Sequence, residues 1–328
     1  MKKILFIALT ILLVVALTAC NGDSGSEGAD TNVPEIEEVD VVDEAPAEED
    51  EPSPSEPEDV DVDDDDSALE DDADSSEPED TDDGDDAPLS EAALAVLAFL
   101  EEPGMRIGVQ NGTTGHIFAE ANLPDAVVDA FPLFSDAVMA LNAGSIDAII
   151  IDSLPAAQFV TANEGAITML DGYLTFEYYG IAFQHGSYLT ALFDDAINQL
   201  RANGIFDEIY DYWINQTPGA SRYVTPEGTE HPNGTLTMAT SAGFPPFELF
   251  EGTTIVGFDP CLAQAIGDII GYDIEVIDML FDSIITGVQV GQYDFGMAGM
   301  TIREDRREFV DFSQGYFNSG QVILVRTP

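Results

Sequence analysis

The stretch Asp147-Ala148-Ile149-Ile150-Ile151-Asp152 decides the fold class of this chain. Its four central residues are apolar without interruption, which indicates a strand that is buried on both faces. Ser153 to Asn163 then follows with a helical pattern. A buried strand that leads directly into a helix is typical of α/β layers with a largely parallel sheet.

This alternation of strands and helices occurs in two blocks. The first block begins with the strand at Arg106-Ile107-Gly108-Val109 and ends with two helices across Tyr188 to Trp213, broken near Asn203-Gly204. A turn-rich connector without periodicity follows, and the second block runs from a strand at Leu236–Thr240 to a last strand at Gln321–Arg326. Two blocks within about 238 residues predict two α/β lobes.

The N-terminus has the features of an export signal. Lys2 and Lys3 precede an apolar run from Ile4 to Ala16, which is shorter than the span of about 20 residues that crosses a bilayer. Leu17-Thr18-Ala19-Cys20 follows and resembles the lipobox of bacterial lipoproteins. The resemblance implies a signal peptide at 1–19 and a lipid on Cys20; the alternative is an uncleaved anchor helix. Both predict an extracytoplasmic chain tethered to the cell membrane.

Charge separates a linker from the folded part. Residues 21–90 contain 32 Asp or Glu and neither Lys nor Arg, so we expect a disordered acidic linker at 20–88. An extra helix at 89–104 follows, with Ser90 as its N-cap and Pro103-Gly104 at its end. The formal net charge is −55 for the chain and −25 for residues 91–328, which argues against nucleic acid and anionic lipid surfaces as partners.

Charged and polar residues stand where predicted strands end. Arg306 follows the strand end at Ala298-Gly299-Met300, Thr114 lies in a turn after another strand, and Asp152 ends a third. Ligands of open α/β sheets bind at the carboxyl ends of strands. A free α-amino acid needs a bidentate Arg and backbone N–H groups for its carboxylate, and a fixed carboxylate for its ammonium. The sequence therefore offers the groups for an amino-acid site.

Six motifs of the second block resemble the first lobe of the family 3 solute-binding proteins, which are the receptors of polar amino-acid ABC importers. They are Ala239-Thr240-Ser241-Ala242-Gly243-Phe244-Pro245-Pro246-Phe247-Glu248, Gly257-Phe258-Asp259, Phe281-Asp282-Ser283-Ile284-Ile285, Gly291-Gln292-Tyr293-Asp294, Gly299-Met300-Thr301-Ile302 with Arg306, and Val310-Asp311-Phe312-Ser313. The first block resembles the second lobe of that family at Gly108–Gly115 and Ile146–Asp152, and its closing helices at Leu192–Trp213. The resemblance implies a periplasmic-binding-protein-like fold of type II, with two α/β lobes joined by a hinge.

The resemblance also implies ligand-binding roles for nine residues, which are Gln110, Thr114, Asp152, Ser241, Phe244, Phe281, Gly299, Thr301 and Arg306. Arg306 would clamp the ligand carboxylate, helped by the backbone of Thr301 and Thr114. Asp152 would take the ammonium together with the Gly299 carbonyl and the Thr301 hydroxyl. The simpler alternatives are that Arg306 is a surface helix residue and that Asp152 merely caps the helix starting at Ser153.

The remaining four residues concern the ligand side chain. Phe244 and Phe281 would stack on it, and Gln110 and Ser241 would read its polar groups. Many family members carry an acidic residue where this chain has Ser241. We therefore expect a ligand that is less cationic than those of such members.

The order of the two blocks departs from the family, where the first lobe comes first. Here 105–187 is expected to form the second lobe, 188–214 the closing helices, 215–233 a connector, and 234–328 the first lobe with its hinge strand. This order predicts a circularly permuted fold in a monomer, because the connector can span the gap between the old chain ends. A truncated tandem and a chain completed by a swapped neighbour are the alternatives.

The predicted function is that of a receptor that captures an amino acid by lobe closure and delivers it to an ABC permease. A sensor module, or an enzyme on the same fold such as a dehydratase, is the alternative. His116, His185 and His231 are scattered and join no Asp or Ser in a recognisable catalytic arrangement. Cys20 and Cys261 alone make no disulfide framework. We therefore expect no enzymatic activity, no cofactor and no metal.

Overall fold

The computed structural model describes residues 90–327. The predicted signal peptide at 1–19, the lipid site at Cys20 and the whole acidic linker at 20–88 lie outside these residues. The described strands are β1 (Arg106–Gln110), β2 (Val127–Phe131), β3 (Ala148–Asp152), β4 (Ile167–Met169), β5 (Glu177–Tyr179), β6 (Ala182–Phe183), β7 (Thr235–Thr240), β8 (Leu249–Glu251), β9 (Thr254–Val256), β10 (Asp273–Asp278), β11 (Phe295–Gly296), β12 (Asp311–Phe312), β13 (Phe317–Ser319) and β14 (Gln321–Arg326).

The helices alternate with these strands. They are α1 (Glu91–Leu100), α2 (Thr114–Asn122), α3 (Phe134–Asn142), α4 (Ser153–Ala162), α5 (Leu189–Asn203), α6 (Ile205–Trp213), α7 (Phe258–Ile270), α8 (Phe281–Gln289) and α9 (Glu304–Arg307). Within residues 90–327, no helix combines the length and the apolar character that crossing a bilayer demands.

One five-stranded sheet has the strand order β2-β1-β3-β14-β4. β1 pairs in parallel with β2 and β3, whereas β14 is antiparallel to both β3 and β4. Every residue of β3 is buried, as its apolar run predicts. α2 and α3 pack on β1, and α4 packs on β3 and β14. We call this sheet, together with α1 to α4, lobe A.

The helix α1 begins where the sequence predicts. The Ser90 hydroxyl accepts a hydrogen bond from the Ala93 backbone N–H at 3.1 Å, which makes Ser90 the N-cap. Val96 and Leu100 are buried in a cluster with Ile107 and Ile323 of the lobe A sheet. The extra helix is thus part of the core of lobe A.

A second five-stranded sheet has the order β10-β7-β11-β6-β12. β7 is parallel to β10 and β11, while β6 is antiparallel to β11 and β12. α8 packs on β7, and α7 packs on β10. α5 and α6 both pack on α7, and the break between them lies at Gly204, whose φ is +83°. We call this sheet with α5 to α9 lobe B.

The connector at 215–233 is hydrogen-bonded to one carboxylate of α7. Asp268 accepts hydrogen bonds from the hydroxyl of Tyr223 at 2.8 Å and the hydroxyl of Thr225 at 3.3 Å. The ring of His231 lies 2.9 Å from the same carboxylate. The connector therefore runs along lobe B, although it contains no helix or strand.

The chain crosses between the lobes twice, side by side. β5 and β13 pair antiparallel, with Ser319 opposite Glu177 and Phe317 opposite Tyr179. β5 leads from lobe A into β6 of lobe B, and β13 leads from lobe B into β14 of lobe A. We call this two-stranded connection the hinge ribbon.

The sheets correct two expected lobe boundaries. Gln321–Arg326 was expected with 234–328 in one lobe, but it lies in the lobe A sheet between β3 and β4. Ala182–Phe183 was expected with 105–187, but it lies in the lobe B sheet. In both cases the chain has just passed through the hinge ribbon, and its next strand completes the sheet on the other side.

Candidate functional site

A small cavity of about 10 Å³, with room for about one water molecule, lies between the two lobes. All nine residues singled out from the sequence line it. The lining residues are Gln110, Thr113, Thr114, Asp152, Ser241, Phe244, Glu248, Phe281, Ala298, Gly299, Thr301 and Arg306. Thr113, Glu248 and Ala298 are additions that the sequence did not indicate. Residues from the ends of β1 and β3 in lobe A thus meet residues that follow β7 and β11 in lobe B.

Arg306 is a buried cation on the lobe B side of this cavity, with only 5% of the residue exposed. Its guanidinium donates to the Thr301 carbonyl at 2.7 Å and, across the lobes, to the Gly112 carbonyl at 3.0 Å. It also lies over the ring of Phe281, 5.5 Å from the centroid. Among the described residues no carboxylate approaches it within 4 Å. This burial excludes the alternative of a solvated surface arginine.

The charge of Arg306 is poorly compensated. Burial, followed by the nearby Arg303, lowers the pKa of Arg306 to about 10, although Glu177, Asp305 and Asp152 act in the opposite direction. A buried cation with carbonyl partners alone favours an anion in the cavity.

Asp152 lies on the lobe A side and is also 5% exposed. Its Oδ1 accepts from the Tyr179 hydroxyl at 2.5 Å and from the Ser319 hydroxyl at 3.3 Å, both on the hinge ribbon. Although Asp152 holds the N-cap position of α4, its side chain makes no capping hydrogen bond. Burial, followed by the proximity of Glu177, raises the pKa of Asp152 to about 7. The carboxyl group is thus held at the cavity by other contacts than helix capping.

The backbone at Gly299 is fixed by a buried carboxylate. Gly299 has a φ of +53°, and a Cβ there would lie 2.7 Å from the ring of Phe244, so the close approach requires glycine. Its N–H donates to Asp259 Oδ2 at 2.8 Å, and the Tyr316 hydroxyl donates to the same oxygen at 2.9 Å. These contacts fix the peptide unit that precedes the Gly299 Cα, next to the carbonyl that the resemblance assigned to the ligand ammonium.

The opposite wall of the cavity contains the N-terminus of α2. Thr114 is the first residue of α2, and the Thr113 hydroxyl caps the helix by accepting from the His116 N–H at 3.3 Å. The amides of a first helical turn have no carbonyl partner within the helix and carry partial positive charge. This end of α2 therefore suits the same anion as Arg306.

The part of the cavity assigned to the ligand side chain is aromatic and polar. Phe244 stacks on Phe134 of lobe A and on Phe247, each with 5.8 Å between centroids. The Gln110 side chain donates to the Pro132 carbonyl at 3.0 Å. The Ser241 hydroxyl is buried and has no hydrogen-bond partner among the described residues. A ligand side chain could therefore satisfy Ser241.

Two carboxylates at the site were missed in the sequence. Glu177 receives hydroxyl hydrogen bonds from Thr114 at 2.9 Å and Thr301 at 2.6 Å, both of which line the cavity. Glu248 lines the cavity directly and is completely buried. Glu248 lies within the motif that ends in Phe247-Glu248, so its position was visible, but its burial depends on packing that no local pattern reveals.

Glu248 forms a buried acid pair with Asp259. Burial is the main cause that raises the pKa of Glu248 well above its ordinary value, and Asp259 raises it further. Burial likewise raises the pKa of Asp259 to about 7. Burial therefore favours the protonated form of Glu248, and neither of its side-chain oxygens has a hydrogen-bond partner among the described residues.

This pair gives a stability prediction. A carboxyl group whose pKa is raised on folding binds more protons in the folded state, so its stabilising effect is lost as the pH rises toward the folded value. Glu248→Gln keeps the shape and a donor without this titration. We expect urea unfolding to show a gain of about 1–3 kcal/mol at pH 8 and little change at pH 4. The exposed Glu227→Gln is the control, and a loss of stability at pH 8 would contradict the assignment of a protonated Glu248.

Comparison with known proteins adds to this geometry. The family model described as bacterial extracellular solute-binding proteins, family 3, matches residues 236–328. The arginine-binding extracellular protein ArtP of Bacillus subtilis (strain 168) is 44% identical over 97 residues, which are 30% of this chain and 38% of ArtP. Residues 236–328 are thus similar to the extracellular solute-binding proteins of family 3.

The chain is also similar to a second curated protein and to a solved structure. A probable histidine-binding protein of Neisseria gonorrhoeae is 34% identical over 96 residues, which are 29% of this chain and 36% of that protein. The arginine-bound form of domain 1 from TmArgBP is 36% identical and covers 29% of this chain and 82% of that structure, with a TM-score of 0.25. The chain spans less than two-fifths of the length of the two curated relatives. These relatives are named as binding proteins and not as enzymes.

Proposed function

We propose that this protein is a family 3 extracytoplasmic receptor that closes its two lobes around a free α-amino acid and delivers it to an ABC importer. The observation that carries the proposal is that Arg306 from lobe B and Asp152 from lobe A both line one cavity. Arg306 has no carboxylate within salt-bridge distance in the described residues, and so an amino-acid carboxylate supplies the missing charge. Asp152 supplies the opposite charge for the ammonium.

Each of the two ligand charges would be held by residues from both lobes. The carboxylate would be held by Arg306 and by the first amides of α2 at Thr114. The ammonium would be held by Asp152, the Gly299 carbonyl and the Thr301 hydroxyl. Because each lobe supplies only part of the set, the complete site exists only when the lobes are closed, as expected for hinge closure around a ligand.

For the ligand side chain we propose a cationic group, and arginine is the first candidate. Two features support this choice. ArtP is named as arginine-binding and is 44% identical over 97 residues. In addition, the buried charged residues of the described chain are four acids and one base, namely Asp152, Glu177, Glu248, Asp259 and Arg306. Burial favours the neutral form of Glu248, but the three other acids still outnumber Arg306, which favours a ligand with a net positive charge, in contrast to the less cationic ligand expected from Ser241.

Isothermal titration calorimetry of the purified chain against the twenty amino acids tests the proposal. We expect the tightest binding for arginine, weaker binding for lysine and histidine, and none for agmatine, which resembles arginine without its carboxylate. Absence of binding to every amino acid would refute the function. Tightest binding of a neutral amino acid would refute only the assignment of the side chain.

The pKa of Asp152 predicts how binding depends on pH. With a pKa of about 7 in the unliganded protein, Asp152 is mostly protonated at pH 5 and must lose its proton before it can pair with an ammonium. We expect the affinity for the amino acid to rise from pH 5 to pH 7, by up to about tenfold per unit, and to level off above pH 7. Calorimetric titrations at each pH measure this slope, and an affinity that falls over this range would contradict the assigned role.

We further propose that the fold is an intramolecular circular permutation in a monomer. The connector at 215–233 supports this view, because its contacts with Asp268 keep it on lobe B of the same chain. Multi-angle light scattering should give the mass of one chain for the species that binds the ligand. An obligate dimer whose isolated chains do not bind would favour swapping instead.

Membrane attachment through a lipid on Cys20 is the last element of the proposal. It rests on the Leu17-Thr18-Ala19-Cys20 motif of the sequence. Metabolic labelling with an alkyne fatty acid should mark the wild-type chain and leave Cys20→Ala unmarked. Labelling that persists in Cys20→Ala would contradict this attachment.

A further inference from the structure

Glu177 stands at the point where the hinge ribbon meets both lobes. It is the first residue of β5, pairs with Ser319 of β13, and is 6% exposed. Its Oε2 accepts from the Thr114 hydroxyl of lobe A and the Thr301 hydroxyl of lobe B. A single carboxylate oxygen therefore links a cavity residue of one lobe to a cavity residue of the other.

The hydrogen-bond directions around this oxygen are fixed. The Gln321 side-chain amide donates to the Thr114 hydroxyl at 3.0 Å, so the hydroxyl hydrogen of Thr114 is directed to Glu177. The Thr301 hydroxyl donates to Glu177 at 2.6 Å. A hydroxyl that donates in this way keeps its lone pairs for other donors. The Thr301 oxygen is thereby arranged as an acceptor toward the cavity.

We propose that Glu177 is a positioning residue that ties the closed lobes together and turns the Thr301 hydroxyl into an acceptor for the ligand ammonium. The inference rests on the proposed amino-acid site, but its first part concerns the protein without ligand. In the open state Thr114 and Thr301 move apart with their lobes, and Glu177 cannot receive both hydroxyls. The link therefore stabilises the closed form before any ligand binds, and a ligand with an ammonium group finds an oriented acceptor there.

Glu177→Gln tests both parts with almost no change in size. A glutamine amide has one acceptor oxygen and one NH₂ donor, so it cannot accept from Thr114 and Thr301 in the same way as a carboxylate. Where the NH₂ group faces Thr301, that hydroxyl must turn its hydrogen toward the cavity. The control is Thr175→Val, which removes a 2.8 Å hydrogen bond to the other oxygen, Oε1, and the acceptor of the Gln321 backbone N–H at 3.2 Å, but leaves the hydroxyls of Thr114 and Thr301 on Oε2.

The first measurement is the distance between the lobes without ligand. Spin labels at Glu164→Cys in lobe A and Gln289→Cys in lobe B occupy exposed positions, and double electron–electron resonance gives their separation. We expect a closed population in the full chain and in Thr175→Val, and a shift to longer distances in Glu177→Gln. Identical distances in all three proteins would overturn the proposal, whether or not the chain binds an amino acid.

The second measurement compares two ligands by calorimetry. Glu177→Gln is expected to weaken arginine binding by about 10–30-fold. For the deamino analogue 5-guanidinopentanoate, the logarithm of the loss of affinity should be no more than about half of that for arginine. Thr175→Val should change either affinity by no more than about threefold. Equal losses for the two ligands would overturn the orientation of Thr301. Failure of the wild-type chain to bind any amino acid would instead refute the proposed function, and the lobe distances would still decide the role of Glu177.

Discussion

Arg306→Ala is expected to lower the affinity for the amino acid by at least about 10²–10³-fold. A buried ligand carboxylate without its cation costs about 3–5 kcal/mol, which corresponds to that loss. The fold should persist, because the variant removes a buried cation whose only hydrogen bonds within residues 90–327 are to the carbonyls of Thr301 and Gly112. Calorimetry measures the affinity, and circular dichroism during heating checks the fold.

Two neighbouring substitutions act as controls for this result. Arg303→Ala removes a partly exposed arginine that pairs with Asp305 at 2.9 Å, outside the cavity lining. We expect its affinity to stay within about threefold of the wild-type value, as for other exposed ion pairs. Arg306→Lys keeps the charge but not the bidentate fork, so its affinity should be intermediate. Wild-type affinity in Arg306→Ala would exclude this residue from the site.

Asp152→Asn is expected to weaken amino acids by about 10²-fold and to spare ligands that lack the ammonium. The asparagine keeps the shape of the side chain but cannot neutralise a buried ammonium, whose unpaired charge costs several kcal/mol. Its amide oxygen can still accept from the Tyr179 hydroxyl, so the hinge ribbon contact is preserved. Calorimetry with arginine and 5-guanidinopentanoate separates the two effects.

The pH profile gives a second readout for the same variant. The rise in affinity between pH 5 and pH 7 should flatten in Asp152→Asn, because the group responsible for it has been removed. Asp147→Asn, at the other end of the same buried strand, is the control and should retain the rise. An equal loss for both ligands, or a slope that survives in Asp152→Asn, would place the ammonium elsewhere.

The sequence predicted the cavity better than it predicted the lobes. Asp152, Thr114 and Arg306 each follow a strand end, and in α/β folds such ends converge, so local order was enough to bring these residues together. Local order does not predict which strand another strand pairs with. Gln321–Arg326 is an apolar run that fits either sheet, and its place in lobe A depends on pairing with residues about 170 positions away.

The missed residues have a similar cause. Glu177 lies on a three-residue strand, too short for any periodic pattern, and its role arises from Thr114 and Thr301 far along the chain. Glu248 is a charged residue in a motif that was visible, but a charged residue is expected at the surface unless its partner is known. Its partner Asp259 becomes a neighbour only after folding.

The position of β14 has a mechanical consequence. α1 and β14 are the first and last elements of residues 90–327, and both belong to lobe A. A pulling force applied between residue 90 and residue 327 therefore loads lobe A, while lobe B, which is connected only through the two strands of the hinge ribbon in the described residues, carries none of the tension. Opening and closing of lobe B then perform no work against such a pull, so a tethered molecule can bind under load with the same affinity as a free one.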